Sequence, residues 1–298
     1  MLAFSVTLPA TRAAEPAFGA ITVGLGRAVF AGGLAVLALT IARERLVVPE
    51  LVPRLALVVL GVVIGFPLLT ALALGRVDSA HAAVVTGLLP AATAGMAVLR
   101  AGEKPRREYW LALAVGLAAV LVFAAAQGAG RLQPADGFIL AAVALAGLGY
   151  AEGGRLAREH GGWRVICWAL VLALPVLLPV ALVGLMVRPP RDVTPTAVVG
   201  LAYLSVVSMF LGFFAWYAGL ARGGVARVGR LQLAQPVLTL GWSALLLGER
   251  IGPATGLTAL AVLASVAVGR KARVDRTPAG PRTMPEDGPP KGAVGASA

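Results

Sequence analysis

The sequence predicts an all-α integral membrane protein of ten transmembrane helices, arranged as two inverted five-helix repeats. Three observations predict it: the composition, the lengths of the apolar segments and an internal repeat. Of the 298 residues, 58% are hydrophobic and only 13% are charged, and the mean hydropathy is +0.85. A soluble domain carries about 25% charged residues. The composition therefore favours a chain that is largely surrounded by lipid.

Nine apolar segments are each near the roughly 20 residues that a helix needs to cross the hydrocarbon core. They run over 19–41, 55–74, 81–99, 109–127, 136–154, 165–187, 196–219, 227–247 and 252–269. A shorter apolar segment precedes them, from Met1 to about Thr11, and contains Pro9. It lacks the basic region of a secretory signal. We interpret it as a first helix that is truncated at the N-terminus.

An internal repeat divides these segments into two halves. Shifting the sequence by 146 positions gives nine identities between residues 74–104 and 220–250, where roughly three are expected by chance. Since each repeat holds an odd number of helices, its two copies enter the membrane in opposite senses when the loops are short. The spacing Pro-x12-Glu occurs in both halves, from Pro90 to Glu103 and from Pro236 to Glu249.

The repeat also sets the predicted domain boundaries. The first repeat covers residues 1–127 and the second covers 136–270. Residues 271–298 are rich in charged residues, Gly and Pro, and they are expected to form a disordered cytoplasmic tail. The shift aligns Met1 with Gly147, in the middle of the sixth span. The first helix is therefore expected to lack roughly its first ten residues.

The basic residues predict the orientation. With a cytoplasmic N-terminus, thirteen Lys and Arg residues fall in inside loops and six in outside loops. The inside set is Arg43, Arg45, Arg54, Arg100, Lys104, Arg106, Arg107, Arg155, Arg158, Arg164, Arg222, Arg227 and Arg230, and the outside set is Arg12, Arg76, Arg131, Arg188, Arg191 and Arg250. Cytoplasmic loops carry the excess of basic residues. We therefore expect both termini in the cytoplasm, and we expect the net charge of +12 to serve topology rather than nucleic-acid binding.

Ten helices in two inverted fives, with a proline in the fourth helix of each half and a terminal Gly-Glu, resemble the EamA-like transporters of the drug/metabolite transporter superfamily. The motif reads PAATAGMAVLRAGEKP from Pro90 and PVLTLGWSALLLGERIGP from Pro236. An early arginine in the second span, Arg27 in GLGRAVFAGG, is also typical of that family. The resemblance covers about residues 1–270. It departs from the family at the short first helix and at Trp110, where the second half has a glycine.

The resemblance implies a transporter, often an exporter, with a central cavity lined by helices of both halves. The expected function is secondary transport of a small metabolite, amino acid or drug-like compound across a bacterial-type inner membrane by alternating access. No Walker A, GxSxG, HExxH or CxxC motif occurs, so we expect no catalytic residues, metal or cofactor, and protons are the expected coupling ion. The expected partners are the substrate and the bilayer, and a homodimer is left open. Two alternatives are an intramembrane lipid-modifying enzyme and a scaffold subunit.

Ionisable residues inside spans are rare, so each is a candidate functional residue. Arg230 is the foremost candidate for binding an anionic or zwitterionic substrate group, and Glu152 is its expected partner. The alternatives are that Arg230 snorkels to the helix end and that Glu152 pairs with Arg155. A buried Glu152 would also be able to carry a proton. For Arg27, the sequence favours a functional role and a structural role equally.

The other candidates are polar or aromatic residues on spans expected to border the cavity. His81 and Arg227 mark the mouths of the fourth and ninth spans, or they are solvated loop ends. The aromatic residues of the third and eighth spans have two interpretations: they form an aromatic wall of the cavity, or they serve ordinary helix packing. The remaining substrate-binding candidates are Tyr150, Gln235, Trp216 and Phe66.

The repeated motif is expected to be structural. Pro90 and Pro236 are expected to bend a helix or free a carbonyl within the membrane. Glu103 and Glu249 each precede a helix, and a carboxylate there meets the positive end and the free N–H groups of that helix.

Topology can be tested with reporter fusions. A reporter that is active only outside the cytoplasm, fused after Glu103 or after Glu249, should give opposite signals at the two positions. Glu103 is expected at the cytoplasmic face and Glu249 at the periplasmic face. A fusion to the C-terminus serves as a cytoplasmic reference. Identical signals from the two positions would contradict the inverted repeat.

Overall fold

The structure, a computed structural model, describes residues 1–46, 48–77, 79–126, 134–247 and 274–276. The α-helices are α1 (Leu2–Ser5), α2 (Thr7–Ile21), α3 (Arg27–Ile41), α4 (Val52–Val58), α5 (Phe66–Leu74), α6 (Ser79–Thr86), α7 (Leu89–Ala101), α8 (Arg107–Ala126), α9 (Pro134–His160), α10 (Gly162–Val187), α11 (Pro195–Tyr203), α12 (Gly212–Gly223), α13 (Val225–Gly229) and α14 (Ala234–Leu247). The π-helical segments are Thr22–Gly26, Val59–Gly65 and Leu204–Leu211, and the 3-10 segments are Pro49–Leu51 and Arg230–Leu233. Two short strands, β1 (Glu103–Pro105) and β2 (Val274–Arg276), pair antiparallel.

Several continuous helices are long and apolar enough to cross a membrane. They are Leu2–Ile41, Pro49–Leu74, Pro134–His160, Gly162–Val187 and Pro195–Gly223. The first of these contains two spans, because Gly19 has φ +77° and ψ 156° and interrupts the helix. We assign α6 and α7 to the fourth span, α8 to the fifth, and α13 to α14 to the ninth. The predicted tenth span, 252–269, lies outside the described residues.

The first span is longer than the sequence predicted. The prediction ended it near Thr11, but the helix continues through Pro9 to Phe18. Pro9 lies in the first turn of α2, where backbone N–H groups have no intrahelical partner, so its missing N–H is tolerated. The corresponding sixth span has 27 residues.

The two halves repeat their element boundaries at the predicted offset. Pro49 and Pro195 both begin a helical stretch, 146 positions apart. The same offset relates the π-helical segments of the third and eighth spans, and the first residues of the fourth and ninth spans, Ser79 and Val225. Gly19 and Gly161, which separate the first two helices of each half, are 142 positions apart and share a positive φ. The register therefore differs by four residues before the third and eighth spans.

The fourth and ninth spans pack antiparallel to each other. The first part of the fourth span, α6, contacts α14, and its second part, α7, contacts α13. Both spans are interrupted: α6 ends at Thr86 before α7 begins at Leu89, and the ninth span is 3-10 between α13 and α14. Pro90 has no N–H to donate to the carbonyl of Thr86. The fourth span is therefore interrupted just before Pro90.

The sixth span lies at the centre of the packing, and its glycines allow close approach of its neighbours. A Cβ atom on Gly61 of the third span would lie 2.6 Å from the carbonyl oxygen of Leu145 and 2.7 Å from Cα of Gly149. A Cβ atom on Gly153 would overlap the ring of Tyr217, whose hydroxyl donates to the Gly149 carbonyl at 3.1 Å. Since lipid supplies no hydrophobic drive between membrane helices, such small-residue contacts hold them together.

Glu103 caps the ninth span. Its carboxylate accepts hydrogen bonds from the backbone N–H groups of Val225 and Ala226, both at 2.8 Å, and pairs with Arg158 at 2.7 Å. The prediction that Glu103 meets the helix following it is wrong. The reason is Gly102, whose left-handed conformation (φ +61°) ends α7 and directs the chain toward α13. The cap therefore joins the two repeats.

Arginines make contacts at both ends of the helical bundle. Arg54, Arg100 and Arg158 all make ion pairs at the end that carries Glu103. At the opposite end, Arg12 donates to the Leu74 carbonyl at 2.6 Å, and the exposed Arg188 lies 3.5 Å from Glu15.

Strand β2 is the described part of the segment for which the sequence predicts disorder. Its pairing with β1 places it at the Glu103 end of the bundle. The placement of Glu103 and the C-terminal tail in the cytoplasm stays a prediction. Disorder of the rest of the tail stays a prediction.

Removing the cap should destabilise the fold. We expect Glu103→Ala to lower the free energy of unfolding by about 3–5 kcal/mol, because it leaves the Arg158 charge and two buried N–H groups unpaired. Glu159→Ala is the matched control. Its carboxylate, 52% exposed, pairs with Arg54, and exposed pairs contribute at most about 1 kcal/mol. Unfolding in detergent measures both, and equal effects would contradict the capping role.

Candidate functional site

A cavity lies near the middle of the bundle and is bordered by spans of both repeats. Its lining comes from the first, second, third, sixth, eighth and ninth spans and comprises Phe4, Thr7, Leu8, Arg27, Val62, Phe66, Pro67, Tyr150, Ser208, Met209, Phe213 and Gln235. The space that a water molecule can occupy is about 20 Å³, which is room for roughly one water. Ligand pockets measure about 300–1,000 Å³. The helices must therefore move apart before a metabolite can enter.

The three π-helical segments border this cavity. Val62 belongs to the segment of the third span, Ser208 and Met209 belong to that of the eighth, and Arg27 directly follows that of the second. A π-helical turn changes the direction of the side chains around it, and such turns are frequent at functional sites. The local irregularity of these spans thus positions much of the lining.

Arg27 places a guanidinium group in the cavity. The residue is 2% exposed, and it makes no hydrogen bond or ion pair with any described residue; its Nε and Nη1 atoms are fully enclosed without a partner. Tyr150 lines the same cavity. The cavity therefore contains a positive charge that no described carboxylate neutralises.

Aromatic rings form one wall of the cavity. Tyr150 packs edge-on against Trp216, with ring centroids 5.4 Å apart, and Phe4 packs edge-on against Phe213 at 5.2 Å. Phe66 lines the opposite part of the cavity, on the third span. Trp216 stands behind the lining, and its buried Nε1–H has no partner among the described residues.

Some aromatic residues of the eighth span serve packing instead. Phe210 and Phe214 lie 4.7 Å apart, and Phe214 also contacts Trp163. Both interpretations of the aromatic residues therefore apply, each to a different face of the span.

Arg230 is buried outside this lining. Its guanidinium lies 4.8 Å from the centroid of the Tyr109 ring, Nη1 has no partner among the described residues, and the residue is 4% exposed. Neighbouring Gln232 accepts a hydrogen bond from Thr93 at 3.3 Å. Arg230 therefore does not snorkel to the surface, and it remains a candidate on the ninth span at some distance along the helix from Gln235.

Glu152 does not pair with Arg230, so that predicted pairing is wrong. Its carboxylate lies 2.8 Å from Arg54, 3.1 Å from Arg100 and 3.7 Å from Arg155. The interface pairing with Arg155 is present, but the shorter contacts come from the third and fourth spans. Glu152 is buried at the Glu103 end of the bundle and does not line the cavity.

The remaining candidates fall in different places. Gln235 lines the cavity, whereas Arg227 is exposed at the beginning of the ninth span, as a solvated end residue would be. His81 lies on α6, and its side chain is outside the described part of the chain, as is that of Pro236. Glu249 lies outside the described residues altogether.

Sequence reasoning missed the contribution of the first helix and of the hydroxyl groups. Phe4 and Thr7 line the cavity, although their segment was expected to be too short to span. The Thr7 and Ser208 hydroxyl oxygens lie 2.8 Å apart and join the first span to the eighth. Ser208 was detectable as a polar residue in an apolar run. The position of Thr7 depends on a helix that the sequence predicted to end early.

The chain matches the EamA-like transporter family over residues 1–125 and 133–269. It belongs to that family. A relative, the uncharacterized transporter YdeK of Bacillus subtilis (strain 168), is 46% identical over 273 residues, which cover 91% of this chain and 94% of the relative. A crystal structure that is 20% identical superposes with a TM-score of 0.70 over 90% of this chain and 92% of the other, which shows a shared fold. The chain is thus a multi-pass membrane protein of a two-repeat transporter family.

Thiol labelling tests the location of Gln235. The wild-type protein has one cysteine, Cys167, and it is fully buried, so a small water-soluble thiosulfonate should not label it in native membranes. Gln235→Cys should be labelled when the helices move apart and open the cavity to the reagent, since the thiolate is the form that reacts. Leu245→Cys, at an exposed apolar position on the same helix, is the matched control and should stay unlabelled. If Leu245→Cys is labelled and Gln235→Cys is not, the position of Gln235 in the cavity is contradicted.

Proposed function

We propose that this chain is a secondary transporter that exports a small organic metabolite through the central cavity by alternating access. The observation that carries the proposal is a small, mid-bundle cavity lined by spans of both repeats. Transport sites of repeat-built carriers lie at such an interface. Membership of a transporter family adds independent support.

The packing of equivalent helices supports the mechanism. The fourth and ninth spans occupy the same place in their repeats, and they run antiparallel. We infer that a half-turn about an axis in the membrane plane relates the repeats. Two halves related in this way can exchange conformations, so that the cavity opens first to one side and then to the other.

An ion-pair network supplies a closure at one end. Buried Glu152 of the second repeat binds Arg54 and Arg100 of the first. Because these pairs join helices of different halves, opening at this end must break them. At the other end the described ion pair between the halves is the longer, exposed contact of Arg188 with Glu15. We propose that the network is the cytoplasmic gate, in an inner membrane with both termini cytoplasmic, as the basic residues favour.

Proton coupling belongs to the same proposal, on the ground that the sequence has no nucleotide-binding motif. The carrier expected from the sequence was Glu152. Since three arginines hold that carboxylate away from the cavity, we propose that its part in transport is gating. A residue other than Glu152 would then carry the proton. A pH gradient applied across vesicles tests proton coupling without assuming which residue that is.

The cavity favours binding over catalysis. An enzyme acting on lipids would need a nucleophile beside a base. The Thr7 and Ser208 hydroxyl groups bond to each other, and the other polar lining residues are Arg27, Tyr150 and Gln235. These groups suit recognition of a ligand.

Transport should be measured in proteoliposomes of purified protein with a panel of radiolabelled acids, amino acids and amines, with and without a pH gradient. At least one compound should accumulate above the level in empty vesicles, and a proton gradient should increase it. Glu152→Gln should reduce transport several-fold and increase labelling of Gln235→Cys from the cytoplasmic side, because the gate loses its central charge. Glu159→Gln, on the same helix but exposed, should keep near wild-type transport. No transport of any compound would overturn the proposed function.

A further inference from the structure

The buried side-chain polar groups without a partner share one property: all are hydrogen-bond donors. Among the described residues they are Arg27 Nε and Nη1, Trp216 Nε1, Arg230 Nη1 and Gln232 Nε2. Buried polar groups in proteins are normally paired. The interior of this chain is therefore short of acceptors, and a ligand that supplies acceptors would complete it.

Arg27 is not explained by architecture. Features that build both halves recur in both, as Pro90 recurs at Pro236. At the offset set by Gly19 and Gly161, the position equivalent to Arg27 is Ala169. Arg27 is thus a charged residue of the first repeat without a charged equivalent in the second. Such a difference between the repeats is expected at a site for an asymmetric ligand, which presents different groups to the two halves.

Arg27 also cannot reach solvent at the membrane surface. It lies about 12 Å along the helix from Gly19, at 1.5 Å per residue, and it is enclosed instead of extended toward the helix end. A guanidinium at such a depth is unfavourable unless an anion or water compensates it. The structure thus keeps a charge at mid-depth at a cost in stability.

The described residues offer no carboxylate to that charge. No acidic residue is among those that line the cavity, and the described Glu152 and Glu15 are engaged with arginines at opposite ends. The sequence of the tenth span, 252–269, contains no Asp or Glu. The described residues therefore leave this charge to be compensated by a bound species.

We propose that Arg27 binds the carboxylate of a small organic acid whose apolar or aromatic body lies against Tyr150, Phe66 and Phe213. A guanidinium forms paired, charge-assisted hydrogen bonds to a carboxylate, and the aromatic wall accommodates the rest of the molecule. The described lining of this cavity has no carboxylate for an ammonium group, so acids are preferred to the corresponding amino acids. This inference rests on the proposed function, whose substrate class it specifies.

Binding to the purified protein in detergent tests the site directly. Phenylacetate and hexanoate should raise Tm and bind saturably, whereas phenylacetamide, hexanamide and phenylalanine should bind at least about tenfold more weakly. Phenylphosphonate tests whether another acid group replaces the carboxylate, and equal binding of it would overturn the choice of a carboxylate. The absence of binding by both carboxylates would overturn the proposal.

Variants identify the residue. Arg27→Gln should weaken phenylacetate binding by about 10- to 100-fold, the loss expected for one charge-assisted contact, and Arg27→Lys should retain part of it. Arg191→Gln, an exposed arginine, is the matched control and should bind as wild type does. If Arg230→Gln loses binding while Arg27→Gln keeps it, the acid site lies on the ninth span and the assignment to Arg27 is wrong.

A second measurement separates binding from structural support. Arg27→Met should have a ligand-free Tm equal to or above that of the wild type, because it removes an unpaired buried charge. A large decrease in Tm would show that Arg27 holds the fold together. One outcome separates this inference from the proposed function. If the protein transports an uncharged or cationic compound, Arg27→Gln does so at the wild-type rate, and acids are not transported, then the transport function is supported and the acid site at Arg27 is wrong.

Discussion

The carboxylate of Glu103 is the interaction on which much of this fold depends. A helix that begins inside a membrane protein exposes N–H groups that lipid cannot satisfy. One residue, Gly224 with φ +88°, separates the eighth span from the ninth, and Glu103 binds the first two N–H groups of the ninth span, those of Val225 and Ala226. Arg158 of the sixth span neutralises the carboxylate. One side chain of the first repeat thus fixes where two helices of the second repeat lie, and with them the end of the bundle that carries the ion-pair network.

Repetition and asymmetry have different consequences in this chain. The proline-interrupted fourth and ninth spans and the π-helical segments of the third and eighth occur in both halves, and they shape a cavity at the interface. The side chains that give the cavity its chemistry differ between the halves. Arg27 and the aromatic wall come from positions whose equivalents are different residues. A duplicated scaffold can therefore provide the movement while single residues provide recognition.

The state of the molecule follows from its contacts. The sixth span packs through glycines against the third, fourth and eighth spans, so the helices close the cavity to about the volume of one water. Ion pairs join the halves most closely at the Glu103 end. Opening must separate close-packed helices without leaving charges unpaired. The exposed Arg–Glu contact at the other end is more easily exchanged for water than the buried pairs of Glu152.

The sequence by itself determined the membrane environment and the two-repeat organisation, because these depend on composition and periodicity. It also named Tyr150, Gln235 and Phe66, which line the cavity, since polar and aromatic residues in apolar spans are conspicuous. Only the tertiary structure decided which helix Glu103 caps, that Glu152 binds Arg54 and Arg100, and that Arg27 rather than Arg230 faces the cavity. Those outcomes depend on the rotation and depth of each span, which are set by packing between helices far apart in the sequence.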